Sequence, residues 1–114
     1  MKQQIQVTTT TSSREEAERI AEALVEARLA ACVQIVGPIA SVYRWKGTVE
    51  RATEWLCIVK TERRLYAEVE AAIKRLHSYE VPEVLATEVV EASEAYLNWL
   101  QEELAGPEDG ADDS

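Results

Sequence analysis

The sequence predicts an α+β fold, a ferredoxin-like βαββαβ sandwich with an additional C-terminal helix, and three observations carry that expectation. Hydrophobic periodicity switches between two and 3.6 residues in the order strand, helix, strand, strand, helix, strand, helix. The two central strands read as one long hairpin turning at Gly47. Finally, 114 residues suffice for one core that needs no disulfide or metal staple, and are too few for two. Two βαβ-type halves joined by a hairpin form the split arrangement in which helices cover one face of an antiparallel sheet.

Each element follows in turn. Residues 2–9 alternate polar and apolar side chains and are rich in Thr and Val, as a half-buried strand requires. Ser13 with Glu16 three positions on is a capping box that opens a helix. Ala17, Ile20, Ala21, Leu24 and Arg28 then recur on one stripe, while Glu15, Glu18, Arg19, Glu22 and Glu26 take other faces. From Cys32 to Trp45 the pattern is again a strand, interrupted at Gly37-Pro38, where the missing N–H marks a bulge or bend. Thr48 to Thr61 returns, and its Trp55-Leu56-Cys57-Ile58-Val59 run, apolar on both faces, belongs in the sheet centre.

A second helix follows Thr61 with Leu65, Val69, Ala72, Ile73 and Leu76 on one stripe and a Glu70–Lys74 pair, ending near His77. Val81-Pro82 cannot continue it, and Val84 to Val90 makes a fourth strand. Ser93 is a fitting N-cap for a last helix bearing Tyr96, Leu97, Leu100 and Leu104. Residues 1–104 thus form the domain, and 105–114, with Glu108, Asp109, Asp112 and Asp113 and no base, read as an acidic disordered tail.

Composition excludes several classes of function. The 21 acidic and 12 basic residues give a net charge of −9, which argues against a phosphate-binding surface and so against nucleic acid as a partner. No apolar stretch reaches signal-peptide or membrane-spanning length, so no membrane partner and a cytoplasmic location are expected. Cys32 and Cys57 lie 25 positions apart in apolar surroundings and are expected to be reduced and mostly buried. No phosphate loop, GxSxG, HExxH or zinc-spaced Cys/His cluster is present, so an enzyme is not expected.

The sheet face without helices carries a further expectation. The long hairpin bears Ile39, Val42, Tyr43, Trp45 and Trp55, more apolar surface than a small monomer leaves in water, so these faces should pack together in a homo-oligomer. Tyr43, Trp45, Trp55 and Trp99 could line a pocket, but aromatics at this spacing more often sit between elements or subunits, and they are assigned mainly to interfaces.

The densest group of functional side chains is His77-Ser78-Tyr79-Glu80-Val81-Pro82-Glu83, between a helix end and a strand. His77 can use its charge on the terminal helix carbonyls. As a ligand it suits Cu(II) or Zn(II), with Glu80 or Glu83 as oxygen partners and Cys32 as a soft donor where accessible. Lys60, closing the central strand, can hold a carboxylate or phosphate, or simply pair with a Glu.

Five segments together resemble a known family: Leu29-Ala30-Ala31-Cys32-Val33, Tyr43-x-Trp45-x-Gly47, Lys60-Thr61, His77-x-Tyr79-x-x-Pro82-Glu83 and Tyr96-Leu97-x-Trp99-Leu100. The chain is similar, from about residue 5 to 104, to the CutA divalent-cation-tolerance family. The resemblance implies a homotrimer akin to PII-like signalling proteins, clefts between subunits, and a role in metal response with copper binding. It places Cys32 and His77 at positions associated with metal ligation, and Lys60, Tyr79 and Glu83 in the polar set near the subunit cleft.

Two departures stand out: Ser78 where the family often has Pro, expected to loosen the orientation of His77, and Ala92 where it often has Gly. The expected function is a non-enzymatic trimer of divalent metal tolerance that binds copper(II) or another divalent cation. The alternative is a PII-like sensor taking a small anion or metabolite at Lys60, and a third is a structural trimer that anchors an unidentified protein.

Overall fold

A computed structural model describes residues 3–106. The order is β1 (Gln4–Thr11), α1 (Arg14–Glu26), β2 (Cys32–Trp45), β3 (Thr48–Glu62), a 3-10 turn (Arg63–Leu65), α2 (Tyr66–Leu76), β4 (Leu85–Glu88) and α3 (Glu94–Glu103). The four strands form one antiparallel sheet in the order β2-β3-β1-β4. This is the split βαββαβ arrangement with the extra helix. The fourth strand is shorter than the 84–90 run suggested, with only Leu85 to Glu88 in the ladder.

Alternation divides the sheet into two faces. Ile5, Val7, Cys57 and Val59 point to one, where Ile20 and Leu24 of α1 and Val69 and Ile73 of α2 close a core, joined by Leu100 and Leu104. Burying such a side chain contributes about 1.5–3 kcal/mol, so this single core accounts for the fold's stability. Ser13 caps α1, its Oγ accepting from the Glu16 N–H at 3.1 Å, and Ser93 caps α3, its Oγ accepting from Tyr96 N–H at 3.2 Å.

Arg28 does not extend the α1 stripe. It lies beyond the helix end at φ 60°, exposed, in the left-handed position that closes the helix, with Leu29 N–H donating to Leu24 O at 3.0 Å. Glycine usually takes this position. Here the side chain gives a reason for arginine, since its guanidinium donates to the Glu102 and Glu103 carbonyls at 2.7 and 3.0 Å and caps α3. Ala105 is also held, its N–H donating to Arg28 O at 2.7 Å, so the body extends past residue 104. The remainder of the expected tail, residues 107–114, lies outside the described residues.

β2 and β3 run past the end of β1. Trp55 is the last β3 residue opposite β1, at Thr11, while the β2–β3 pairing continues to Trp45 and Thr48. The result is a projecting arm, and the molecule measures 48 × 27 × 24 Å. Its base is the expected irregularity: the register shifts between Val36 and Ile39, and a Cβ on Gly37 would lie 2.5 Å from Trp55 Cδ1. Its tip is a two-residue turn with Lys46 and Gly47 at φ 52° and 83°, the hand that matches strand twist.

Candidate functional site

The segment after α2 builds the site. His77 leaves the helix in extended conformation, and its ring, with no exposed surface, is fixed at both nitrogens. Tyr79 N–H donates to Nδ1 at 3.1 Å, so Nδ1 carries no proton and Nε2–H donates to the Thr10 carbonyl at 2.8 Å. Both nitrogens are thereby committed within the subunit, which leaves His77 as a frame for the loop rather than an open ligand.

Glu16 is the second anchor. Although only 3% exposed, it is reached from Ser78 by the N–H at 2.7 Å and the hydroxyl at 3.1 Å, and from the Ser12 hydroxyl at 3.4 Å, with His77 Nδ1 3.6 Å away. Burial is the largest influence on its carboxyl and acts to raise its pKa. The two Ser78 donors, with smaller contributions from the neighbouring His77 and Ser12, together outweigh it and hold the pKa below the usual 4.5. Ser78 therefore tightens the loop instead of loosening it, because it supplies a backbone N–H that proline lacks.

With His77 and Ser78 held, Tyr79 reaches over the open face of the sheet and its hydroxyl donates to Glu54 Oε2 at 2.7 Å. Burial, and then the Glu54 acceptor and its charge, push the Tyr79 phenol well above its ordinary pKa of 10, so it stays a donor. Glu54 itself is 6% exposed. No Lys, Arg or His lies within ion-pair distance of it among the described residues. Glu83, on the outer part of the loop, accepts from Thr8 Oγ1 at 3.2 Å.

Between this loop and the arm lies a cavity of about 500 Å³ lined by Thr10, Ser41, Tyr43, Trp45, Glu54, Tyr79, Glu80 and Glu83, with Val42 and Val81. Tyr43 and Trp45, both expected at a subunit interface, form its wall and are partly open to solvent at 43% and 39%. Trp55 does not join them. It has the other phase in β3, with Cys57 and Val59, and packs half-buried against Gly37.

The expected metal and cleft residues separate into two groups. Cys32 pairs with Lys60, and Lys60 with Gln6, four positions along β1 from Thr10 and His77, or about 13 Å at strand rise. Lys60 lines a recess of about 150 Å³ with Gln4, Gln6 and Tyr96. Cys32 is half-buried and close enough to Tyr96 to help raise that phenol's pKa, after burial. Cys32, His77, Glu80 and Glu83 thus do not converge within one subunit, and no group of three or more His, Cys, Asp or Glu suited to a metal ion occurs among the described residues. Lys60 lines a different recess from Tyr79 and Glu83, which line the larger cavity. Cys57 is buried, and burial with the nearby Glu16 charge pushes its thiol up to about 11.

Sequence reasoning missed Glu54 and the long-range role of Glu16. Glu54 carried a faint signal: it has the same β3 phase as Leu56 and Ile58, an acid in an otherwise apolar row. The carboxylate of Glu16 spans 62 positions to Ser78, beyond any local pattern.

Comparison with known proteins agrees with the fold and the motifs. The family described as CutA1 divalent ion tolerance protein matches residues 5–103. The divalent-cation tolerance protein CutA of Thermus thermophilus is 46% identical over 93 residues, 82% of this chain and 90% of that protein. The chloroplastic CutA protein of Arabidopsis thaliana is 40% identical over 97 residues, 85% of this chain and 53% of that one. Among solved structures, the Thermus thermophilus protein superposes with a TM-score of 0.87 at 43% identity, covering 90% of this chain and 99% of that one. CutA1 of Oryza sativa superposes at 0.88 with 37% identity, covering 90% and 94%. On its sequence and its fold alike, this chain belongs to the CutA1 divalent ion tolerance family.

Proposed function

We propose that the protein serves divalent-cation tolerance as a non-enzymatic homotrimer that packs open sheet faces together and holds copper(II) or another divalent cation where subunits meet. The observation that carries this reading is the open face itself. Val36 and Leu85 are each about half exposed and Tyr43 and Trp45 nearly so, a patch that soluble monomers cover. Because the separate donor groups do not converge in one chain, a shared site would join Glu80 and Glu83 of one subunit to donors of its neighbour. Copper(II) is favoured at such a site by the Irving–Williams order. A cytoplasmic setting belongs to the same proposal and is supported by the two free thiols.

Calorimetric titration of the assembled protein with Cu(II) tests it. Saturable binding in fixed ratio to subunits is expected, and a flat titration would refute it. A second reading has one observation in its favour: Lys60 in the recess beside Gln4, Gln6 and Tyr96 offers a cation and amide donors to a small anion. A metabolite that raises the melting temperature in the wild type but not in Lys60→Ala would support that sensor role, with copper inert.

A further inference from the structure

We propose, on the reading that Glu80 and Glu83 bind the cation between subunits, that Glu16 is a positioning residue for that site: from the first turn of α1 its buried carboxylate fixes the course of the 77–83 segment, and so sets where the two acids stand. The contacts involved are made inside one chain. Glu16 is only 3% exposed and the His77 ring has no exposed surface within the single subunit, so copies packed on the open face leave these contacts as they are.

Helix capping does not account for this carboxylate. In a capping box the glutamate three places after the N-cap reaches back to the N-cap N–H. Ser13 caps α1 and accepts from Glu16 N–H, but the shortest contact of the Glu16 carboxylate is to Ser78, 62 positions on. Its Oε2 accepts from Ser78 N–H at 2.7 Å, and its Oε1 from the Ser78 hydroxyl at 3.1 Å and the Ser12 hydroxyl at 3.4 Å. Burying a carboxylate is costly unless hydrogen bonds compensate it, and here both oxygens are used. Glutamine has one acceptor oxygen and would turn its NH2 group toward one of these donors.

Beyond Ser78 the segment has little freedom to absorb a shift. Tyr79 N–H donates to His77 Nδ1 at 3.1 Å, and Nε2–H of the same ring donates to the Thr10 carbonyl at 2.8 Å. At the far end Glu83 Oε2 accepts from Thr8 Oγ1 at 3.2 Å, and Pro82 beside it has a fixed φ. Only Glu80 and Val81 lie between Tyr79 and Pro82, so a displacement of Ser78 passes directly to Glu80. Ligands already in place avoid the entropy of ordering a loop when the ion binds, and loss of a group that holds metal ligands in position typically weakens the metal about tenfold or more.

Calorimetric titration of the assembled full-length protein with Cu(II), followed by electron paramagnetic resonance of the bound ion, tests this. Glu16→Gln should weaken Cu(II) about tenfold and alter the resonance spectrum, while oligomer mass and far-UV circular dichroism stay those of the wild type. Glu15→Gln, with the same change in charge at an exposed neighbouring position, should leave affinity and spectrum unchanged. Ser78→Ala removes one donor with no change in charge; it should shift the affinity in the same direction by a smaller factor, and it decides the case if Glu16→Gln fails to assemble. In Glu80→Gln/Glu83→Gln, adding Glu16→Gln should not lower the residual affinity further, because Glu16 acts through those acids. Wild-type affinity and spectrum in both Glu16→Gln and Ser78→Ala, or an equal loss from Glu16→Gln with and without the two acids, would overturn the positioning role and leave the cation reading standing. A flat wild-type titration would overturn the cation reading, and the positioning role with it.

Discussion

On the helix side of the sheet, Val7, Cys57 and Val59 have no exposed surface, because α1 and α2 lie across them, whereas on the other side Val36 keeps 45% and Tyr43 43%. The strands are equally apolar on both sides near the centre, so the difference comes from what the rest of the chain covers. One face is completed by two helices within the subunit, and the other carries a projecting arm, a buried acid and a cavity. The closed face accounts for folding, and the open face is where recognition is possible.

The largest expected effect lies on the closed face. Leu24→Ala removes a fully buried side chain from the core, and denaturant unfolding should show a loss of about 2–5 kcal/mol. On the open face, Tyr43→Asp/Trp45→Asp should leave far-UV circular dichroism unchanged while dissociating the assembly. A cost of about 2 kcal/mol or more for each buried anchor is expected. If that double variant unfolds like Leu24→Ala, the two faces do not have the separate roles assigned to them.

Glu16 joins the faces, since it starts α1 and holds the loop that walls the cavity. Glu16→Gln should cost about 1.5 kcal/mol at neutral pH, the worth of a hydrogen bond to a charged group. Its folded pKa is depressed, so its stabilisation is complete above the ordinary 4.5 and is lost as pH falls through the lower folded value. The stability gap between wild type and Glu16→Gln should therefore close in acid, which urea titrations from pH 7 to pH 3 would show. A gap independent of pH would assign the effect to packing.

The smallest effect is chemical. A thiol-labelling reagent at pH 8 should spare Cys57, buried and raised to about 11, and label at most the half-buried Cys32. Two fast-reacting thiols in the native protein would mean that the closed face opens more readily than its packing implies.

The same division explains what could be read from the sequence. Helices and strands on the closed face were legible because every core position repeats with a local period, as in Ile20 and Leu24 of α1 or Val69 and Ile73 of α2. The hairpin, its bulge at Gly37-Pro38 and its turn at Gly47 were legible from backbone chemistry. The site was legible only as a segment: His77 to Glu83 was the right place to look, but the roles depended on distant partners. His77 proved to be bonded to Thr10 rather than free, Ser78 tightened the loop through Glu16, and Trp55 turned away because the strand phase across the bulge is not visible in a window of a few residues. Arg28 fell on the helical period but past the helix end, where a carbonyl cap, not burial, decides the residue.

The central claim is that the open face is covered by copies of the same chain. Light scattering on the purified protein at micromolar concentration measures this directly. Three subunits of 12.8 kDa should give about 38 kDa, stable to dilution. A single species at 12.8 kDa with its aromatic face in water would contradict it.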